Sequence, residues 1–181
     1  MTATAYLAGP DVFLPNAVAH AATKVEICRR AGLRGLPPLN EDAATAAGEM
    51  EVWRAIYQKD VAMMEKSDII IANLTPFAGA SADAGTLIEV GWFLGKGKPI
   101  FGYSNTPEIF ESRMQRQLGA KHADFGIEGF DLPDNLMIVG AVLSGGYPIF
   151  LPTDGKSRDL DALDVFETCV DAAARYFVKQ S

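Results

Sequence analysis

Two acidic residues stand where acids are costly. Asp60 lies in an apolar helical stripe that runs Trp53, Ile56, Tyr57, then Asp60, then Met63 and Met64. A carboxylate there is at least partly desolvated, so its pKa should rise unless it is paired. The plainer reading is an exposed helix end, or a cap for a neighbouring loop. Glu89 is the second. It is the single acid among Leu87, Ile88, Val90, Trp92, Phe93 and Leu94. A helix apolar on nearly all sides is buried. An acid inside it needs hydrogen-bond partners or a task. Asp83 lies six residues earlier, at or before the start of the same helix. Asp is a favoured N-cap, which is its plainer role. Together the three carboxylates, with no Lys or Arg in residues 75–84, suggest acid/base or nucleophilic work on a sugar.

Those residues must be held by the elements around them. Short apolar runs alternate with helical ones. Residues 3–8 read as a first strand, ended by Gly9-Pro10, and residues 16–31 as a helix with Gly32 just past its end. A short second strand is expected over 35–39 and a mobile connection over 40–48. A strong helix follows over 49–67. Ile69, Ile70 and Ile71 in a row predict a strand over 68–74 buried on both faces. A Gly/Ala/Ser/Pro loop covers 75–82, and a helix starts at Asp83 or Ala84 and runs to Lys96. Residues 99–103 form another strand. Thr106-Pro107-Glu108 predicts a helix start. Residues 119–133 are irregular, 137–143 are apolar throughout and predict a further strand, and a last helix spans 159–178. The expectation is a single α/β domain over 1–181. Its doubly wound parallel sheet carries helices on both faces. Ligands bind such sheets outside the carboxyl ends of the strands. That rim holds residues 9–13, the loop 75–82 and Ser104-Asn105.

Composition narrows the classes. The chain has 181 residues, 49% hydrophobic and 22% charged, as a folded globular domain has. The net charge of -7 argues against a general nucleic-acid or membrane-surface binder. It leaves room for a nucleoside in a pocket. Cys28 and Cys169 have no second Cys or His at ligand spacing, so no metal site is read and both are expected to be buried. No apolar run reaches a membrane span. The first residues lack a basic and an apolar region, so no signal peptide is read and a cytoplasmic location is the default. His20 and His122 are expected in solvated or capping roles. Arg113, Arg116 and Lys121 read as a solvated helix face. Neither a G-x-x-x-x-G-K-[ST] loop nor a nucleophile elbow at Ser81 is found.

The order and spacing of several pieces resemble the nucleoside 2-deoxyribosyltransferase family. They are Tyr6-Leu7-Ala8-Gly9-Pro10 with Val12-Phe13, then Asp60, then Asn73-Leu74-Thr75-Pro76-Phe77. Next come Asp83-Ala84-Gly85-Thr86 running into Glu89-Val90-Gly91, and Leu132-Pro133-Asp134-Asn135-Leu136-Met137. The resemblance implies a flavodoxin-like fold, a place in nucleotide salvage and no cofactor. It also implies transfer of 2-deoxyribose between nucleobases through a covalent deoxyribosyl-enzyme. Glu89 would be the nucleophile, Tyr6 would hold and polarise it, and Asp60 would donate and accept the base proton, a role that Asp83 could exchange with it. Asp83 and Asn135 would bind the sugar hydroxyls, Asn135 from a neighbouring subunit. Gly9, Phe13 and Phe77 would shape the base pocket. The partners implied are 2′-deoxynucleosides, free nucleobases and further copies of the chain, as a dimer or a hexamer built of dimers.

Three other readings compete. A hydrolase of deoxynucleoside 5′-monophosphates needs phosphate donors after the first strand. That loop, Gly9-Pro10-Asp11-Val12-Phe13, has an acid and no basic residue. A phosphoribohydrolase with a GGxGTxxE motif is matched by Gly85-Thr86 and Glu89, but Ala82-Asp83 replace the paired glycines. A non-catalytic nucleoside-sensing module is the third.

Overall fold

The structure, a computed structural model, describes residues 2–39, 51–122 and 124–178. The connection expected over 40–48 lies outside them. Four parallel strands form one sheet in the order β2-β1-β3-β4. They are β1 (Thr4–Ala8), β2 (Arg34–Leu36), β3 (Ile69–Asn73) and β4 (Ile100–Tyr103). The α-helices are α1 (Ala17–Arg30), α2 (Val52–Lys66), α3 (Ala84–Gly95), α4 (Phe110–Leu118), α5 (Leu136–Leu143) and α6 (Asp164–Val178).

The two-residue period of a strand divides the core. Ala5, Leu7, Ile69, Ile71, Phe101 and Tyr103 face Ile27 and Cys28 of α1 and Val165, Phe166, Cys169 and Val170 of α6. The alternate residues Tyr6, Ala8, Ile70, Ala72 and Ile100 face Met64 of α2, Val90 and Phe93 of α3, and Val139 and Val142 of α5. Helices therefore cover both faces, and the triple isoleucine is fully buried, as expected of a doubly wound sheet. At the end of α1, Gly32 adopts φ +81 while the amide of Leu33 returns to the carbonyl of Cys28 at 2.8 Å. That backbone suits glycine.

Three expectations change. Residues 137–143 are not a strand but most of α5. An eight-residue apolar run has no period that separates strand from buried helix. Capping decides it: Asn135 Oδ1 accepts from the amide of Met137 at 3.0 Å, and Glu128 Oε2 accepts from the amide of Leu136 at 3.0 Å. The edge of β4 is met instead by a single parallel bridge, Tyr103 to Phe150. Helix α4 begins at Phe110, not at Thr106. Thr106 Oγ1 accepts from the amide of Glu108 at 3.3 Å and shares a hydrogen bond with Ser157, which makes a local turn rather than a cap. Helix α6 begins at Asp164, not near 159. The carbonyls of Asp159, Leu160 and Ala162 all accept from Asn105 Nδ2, at 2.9, 3.3 and 3.1 Å. That convergence holds the segment as a loop.

Candidate functional site

Parallel strands put all their carboxyl ends on one rim, and buried polar groups lock that rim. Asn73, the last residue of β3, donates through Nδ2 to Asp11 Oδ1 at 2.7 Å. Its Oδ1 accepts from the Thr75 amide at 3.0 Å and the Thr75 hydroxyl at 2.6 Å. Thr75 Oγ1 in turn accepts from the Asn105 amide at 2.9 Å. The loops after β1, β3 and β4 are thus tied into one chain. Gly9 makes the close approach possible. It adopts φ +152, and a Cβ there would meet Asn73 Cβ at 2.6 Å.

Asp11 is buried and accepts from Lys24 Nζ at 2.5 Å, with Lys24 also buried. One sequence expectation is corrected here. His20 is neither solvated nor capping. It is buried with Nε2 3.8 Å from Asp11, and desolvation lowers its pKa. Removing one partner of a buried pair strands the other charge. Lys24→Met should therefore lower unfolding free energy by about 3–5 kcal/mol, read by urea denaturation.

The carboxylates gather behind this rim. Tyr6 on β1 and Glu89 on α3 meet across the α3 face of the sheet, with Tyr6 Oη donating to Glu89 Oε1 at 2.5 Å. Phe93, one turn further along α3, stacks on Tyr6 with centroids 6.1 Å apart. Burial pushes the Glu89 carboxyl up to about 7. The Tyr6 hydrogen bond pulls it down, and the charges of Asp60 and Asp83 push it up further. Burial, then the Glu89 charge, raises the Tyr6 phenol far above its ordinary range. Asp60 is pushed up to about 6 by burial, opposed by Lys59. Its buried Oδ1 has no hydrogen-bond partner among the described residues.

Asp83 is the N-cap of α3. Its Oδ2 accepts from the Thr86 amide at 3.1 Å and the Thr86 hydroxyl at 3.3 Å. It nonetheless lies close enough to Glu89 to act on its charge. The cap reading of Asp83 therefore holds. Phe13 and Phe77 stack on each other with centroids 5.3 Å apart and planes 10° from parallel, and Phe13 is exposed. Asn135 caps α5 and donates through Nδ2 to Glu128 Oε1 at 2.5 Å. Each amide atom so engaged keeps one further hydrogen-bonding direction free by valence.

Some features differ from the sequence reading. Only Thr86, Val90 and Phe93 of α3 are buried, while Ile88 and Leu94 are exposed. In α2, Trp53 and Tyr57 are exposed. Arg113 is not on a solvated face but buried, donating to the carbonyls of Ala80, Glu108 and Pro133. Asp134, Asn73 and Thr75 are positioning groups that no local pattern marks. Each also has a partner distant in sequence: Ser81 and Ala82 for Asp134, Asp11 for Asn73 and Asn105 for Thr75. Cys28 and Cys169 are buried, as expected.

The geometry can hold a sugar carbon against a carboxylate that a phenol orients, with a second acid of raised pKa close by. Tyr6→Phe removes the donor, so the Glu89 pKa rises. A carboxyl-carbon NMR titration of the variant beside wild type should read that rise.

Known proteins show the same frame. Residues 5–137 match the family model for nucleoside 2-deoxyribosyltransferase. An uncharacterised protein of Schizosaccharomyces pombe is 33% identical over 113 residues, which cover 61% of this chain and 54% of that one. The chain thus spans about half the length of that curated relative. A 2-desoxiribosyltransferase from Leishmania mexicana superposes with TM-score 0.64 and 28% identity, covering 98% of this chain and 97% of that one. A conserved protein from Enterococcus faecalis shares the fold, with TM-score 0.57, 20% identity, and coverage of 96% and 99%. With a family match across most of its length, the chain belongs to the nucleoside 2-deoxyribosyltransferase family.

Proposed function

We propose that the protein moves 2-deoxyribose from one nucleobase to another by double displacement at Glu89. The observation that carries this reading is the 2.5 Å hydrogen bond from Tyr6 to Glu89; Asp60, whose buried Oδ1 has no partner among the described residues, lies near enough for its charge to act on Glu89. Ionised Glu89 attacks C1′ of the donor. The C1′–N bond breaks, its electron pair leaves with the base, and Asp60 supplies the proton the base needs. The departing sugar passes through an oxocarbenium-like state that Glu89 stabilises and then captures. An acceptor base next attacks C1′ from the vacated face. Glu89 leaves as a carboxylate, and Asp60 takes the acceptor's proton. Two inversions retain the β anomer.

Asp83 and Asn135 hold the sugar hydroxyls, and Gly9, Phe13 and Phe77 shape the base site. Phe13 and Phe77 already touch, so a base stacks against this aromatic pair. We further propose a homo-oligomer, a dimer or a hexamer built of dimers, in which Asn135 serves a neighbouring site. The exposed Ile88 and Leu94 of α3 and Leu136, Met137 and Leu143 of α5 support it. Apolar helix faces of this kind favour burial against another subunit.

Purified protein given deoxyinosine and adenine should form deoxyadenosine, followed by chromatography. Release of hypoxanthine alone, at a rate adenine does not change, would make the protein a hydrolase instead.

A further inference from the structure

The residues just ahead of α3 are gripped by a buried pair of opposite charges. Arg113 of α4 donates through Nε to the carbonyl of Ala80 at 2.7 Å and through Nη2 to the carbonyl of Pro133 at 2.7 Å, and through Nη1 to the carbonyl of Glu108. Asp134 accepts on Oδ1 from the Ser81 hydroxyl at 2.6 Å and the Asn135 amide at 2.8 Å. Its Oδ2 accepts from the Ala82 amide at 3.0 Å. The two charges lie 3.9 Å apart, and their side chains are 6% and 2% exposed. Each is satisfied chiefly by loop groups rather than by the other.

A buried ion pair is a poor way to gain stability. Apolar side chains would fill the same space at lower desolvation cost. What the pair does is join two loops at Ala80, Ser81 and Ala82 on one side and Pro133 and Asn135 on the other. Both loops carry a non-glycine residue in the left-handed region, Ala78 at φ 54 and Asp131 at φ 55. Such backbones persist only where the surroundings over-determine them. The next residue after the gripped Ala82 is Asp83, which sets the start of the helix that carries Glu89.

We propose that Arg113 and Asp134 are positioning residues that fix the loop 80–83 and, through it, the placement of Asp83 and Glu89 against the sugar. This rests on the transferase reading above. A rigid loop also decides the fate of the covalent sugar. When it loosens, water reaches C1′: the water oxygen bonds to C1′, Glu89 leaves as a carboxylate, and the water's proton passes to Asp60. The share of hydrolysis over transfer then rises.

The test uses Ser81→Ala, Asp134→Asn and Arg113→Met in the full chain. Ser81→Ala removes one hydrogen bond, so it keeps a folded variant available if Arg113→Met does not fold. Hydrogen exchange should quicken over 80–86 and 133–137 in each folded variant, with α1 and α6 unchanged. Asp134→Asn should lower kcat roughly 10- to 100-fold, the range expected for displaced reacting groups. The ratio of free base to transferred base should rise several-fold, with KM for the acceptor unchanged, and Ser81→Thr should restore the wild-type ratio. Unchanged protection over 80–86 in the folded variants would overturn the proposal. So would faster exchange there with kcat and partition both unaltered. If the wild-type protein itself fails to exchange bases, the transferase reading fails, and the protection of 80–86 alone then decides whether the pair holds this loop.

Discussion

Glu89→Ala should abolish base exchange, with a loss on the order of 10⁴–10⁶-fold in kcat, as removal of a nucleophile typically gives. Double displacement has no route around this residue, because the sugar needs a covalent partner while one base leaves and the next arrives. Rapid-quench chromatography of deoxyadenosine from deoxyinosine and adenine reads the effect. The fold should survive the change. The Glu89 carboxyl ordinarily titrates near 4.5 and is held at about 7 by burial. The folded protein therefore binds this proton more tightly than the unfolded chain does. Wild-type stability then falls as pH rises from about 4.5 to about 7, because ionisation favours the unfolded chain. Glu89→Gln keeps an acceptor for Tyr6 and removes that loss. Its Tm at pH 8 should match or exceed wild type. A large fall in Tm would show instead that Glu89 is structural.

Asp60→Asn should lower kcat about 10²–10⁴-fold, the contribution expected of a positioned general acid. The shape of its pH profile is the sharper test. The proposed reaction needs Glu89 ionised and Asp60 protonated, yet Glu89 has the higher pKa, about 7 against about 6. Midway between them, the reactive protonation state is on the order of one molecule in twenty. The wild-type rate should rise with pH to about 6, stay level, and fall above about 7. These limbs belong to the interacting pair. With Asn at 60 the alkaline fall should vanish, and the residual rate should rise through about 7 and then hold. An alkaline limb that persists in the variant would move the proton-donor role to another group, with Asp83 next in line.

The two central acids are visible in the sequence because a carboxylate in an apolar helix is physically conspicuous. The alternating strands and helices are visible for the same kind of reason, since each period must bury one face. Tyr6 is different. A tyrosine in an apolar strand reads as core, and only its family context points to Glu89. Arg113 is hidden more thoroughly. Beside Arg116 it looks like one charge on a solvated helix, while its partners are carbonyls at 80, 108 and 133. Lys24 and Asn105 are hidden likewise: Lys24 joins Asp11 to the distant Tyr103, and Asn105 holds carbonyls at 159, 160 and 162. Helix α5 was unreadable for want of period. Its identity lies in Asn135 and Glu128, which cap it from outside the apolar run.

The most direct measurement is mass spectrometry of the protein quenched in acid during turnover of deoxyinosine without an acceptor. Double displacement at Glu89 requires a peptide containing Glu89 to gain the mass of one 2-deoxyribosyl group, and that adduct to disappear on adding adenine as deoxyadenosine forms. Base exchange with no adduct on Glu89, or with an adduct on Asp60 or Asp83, would contradict it.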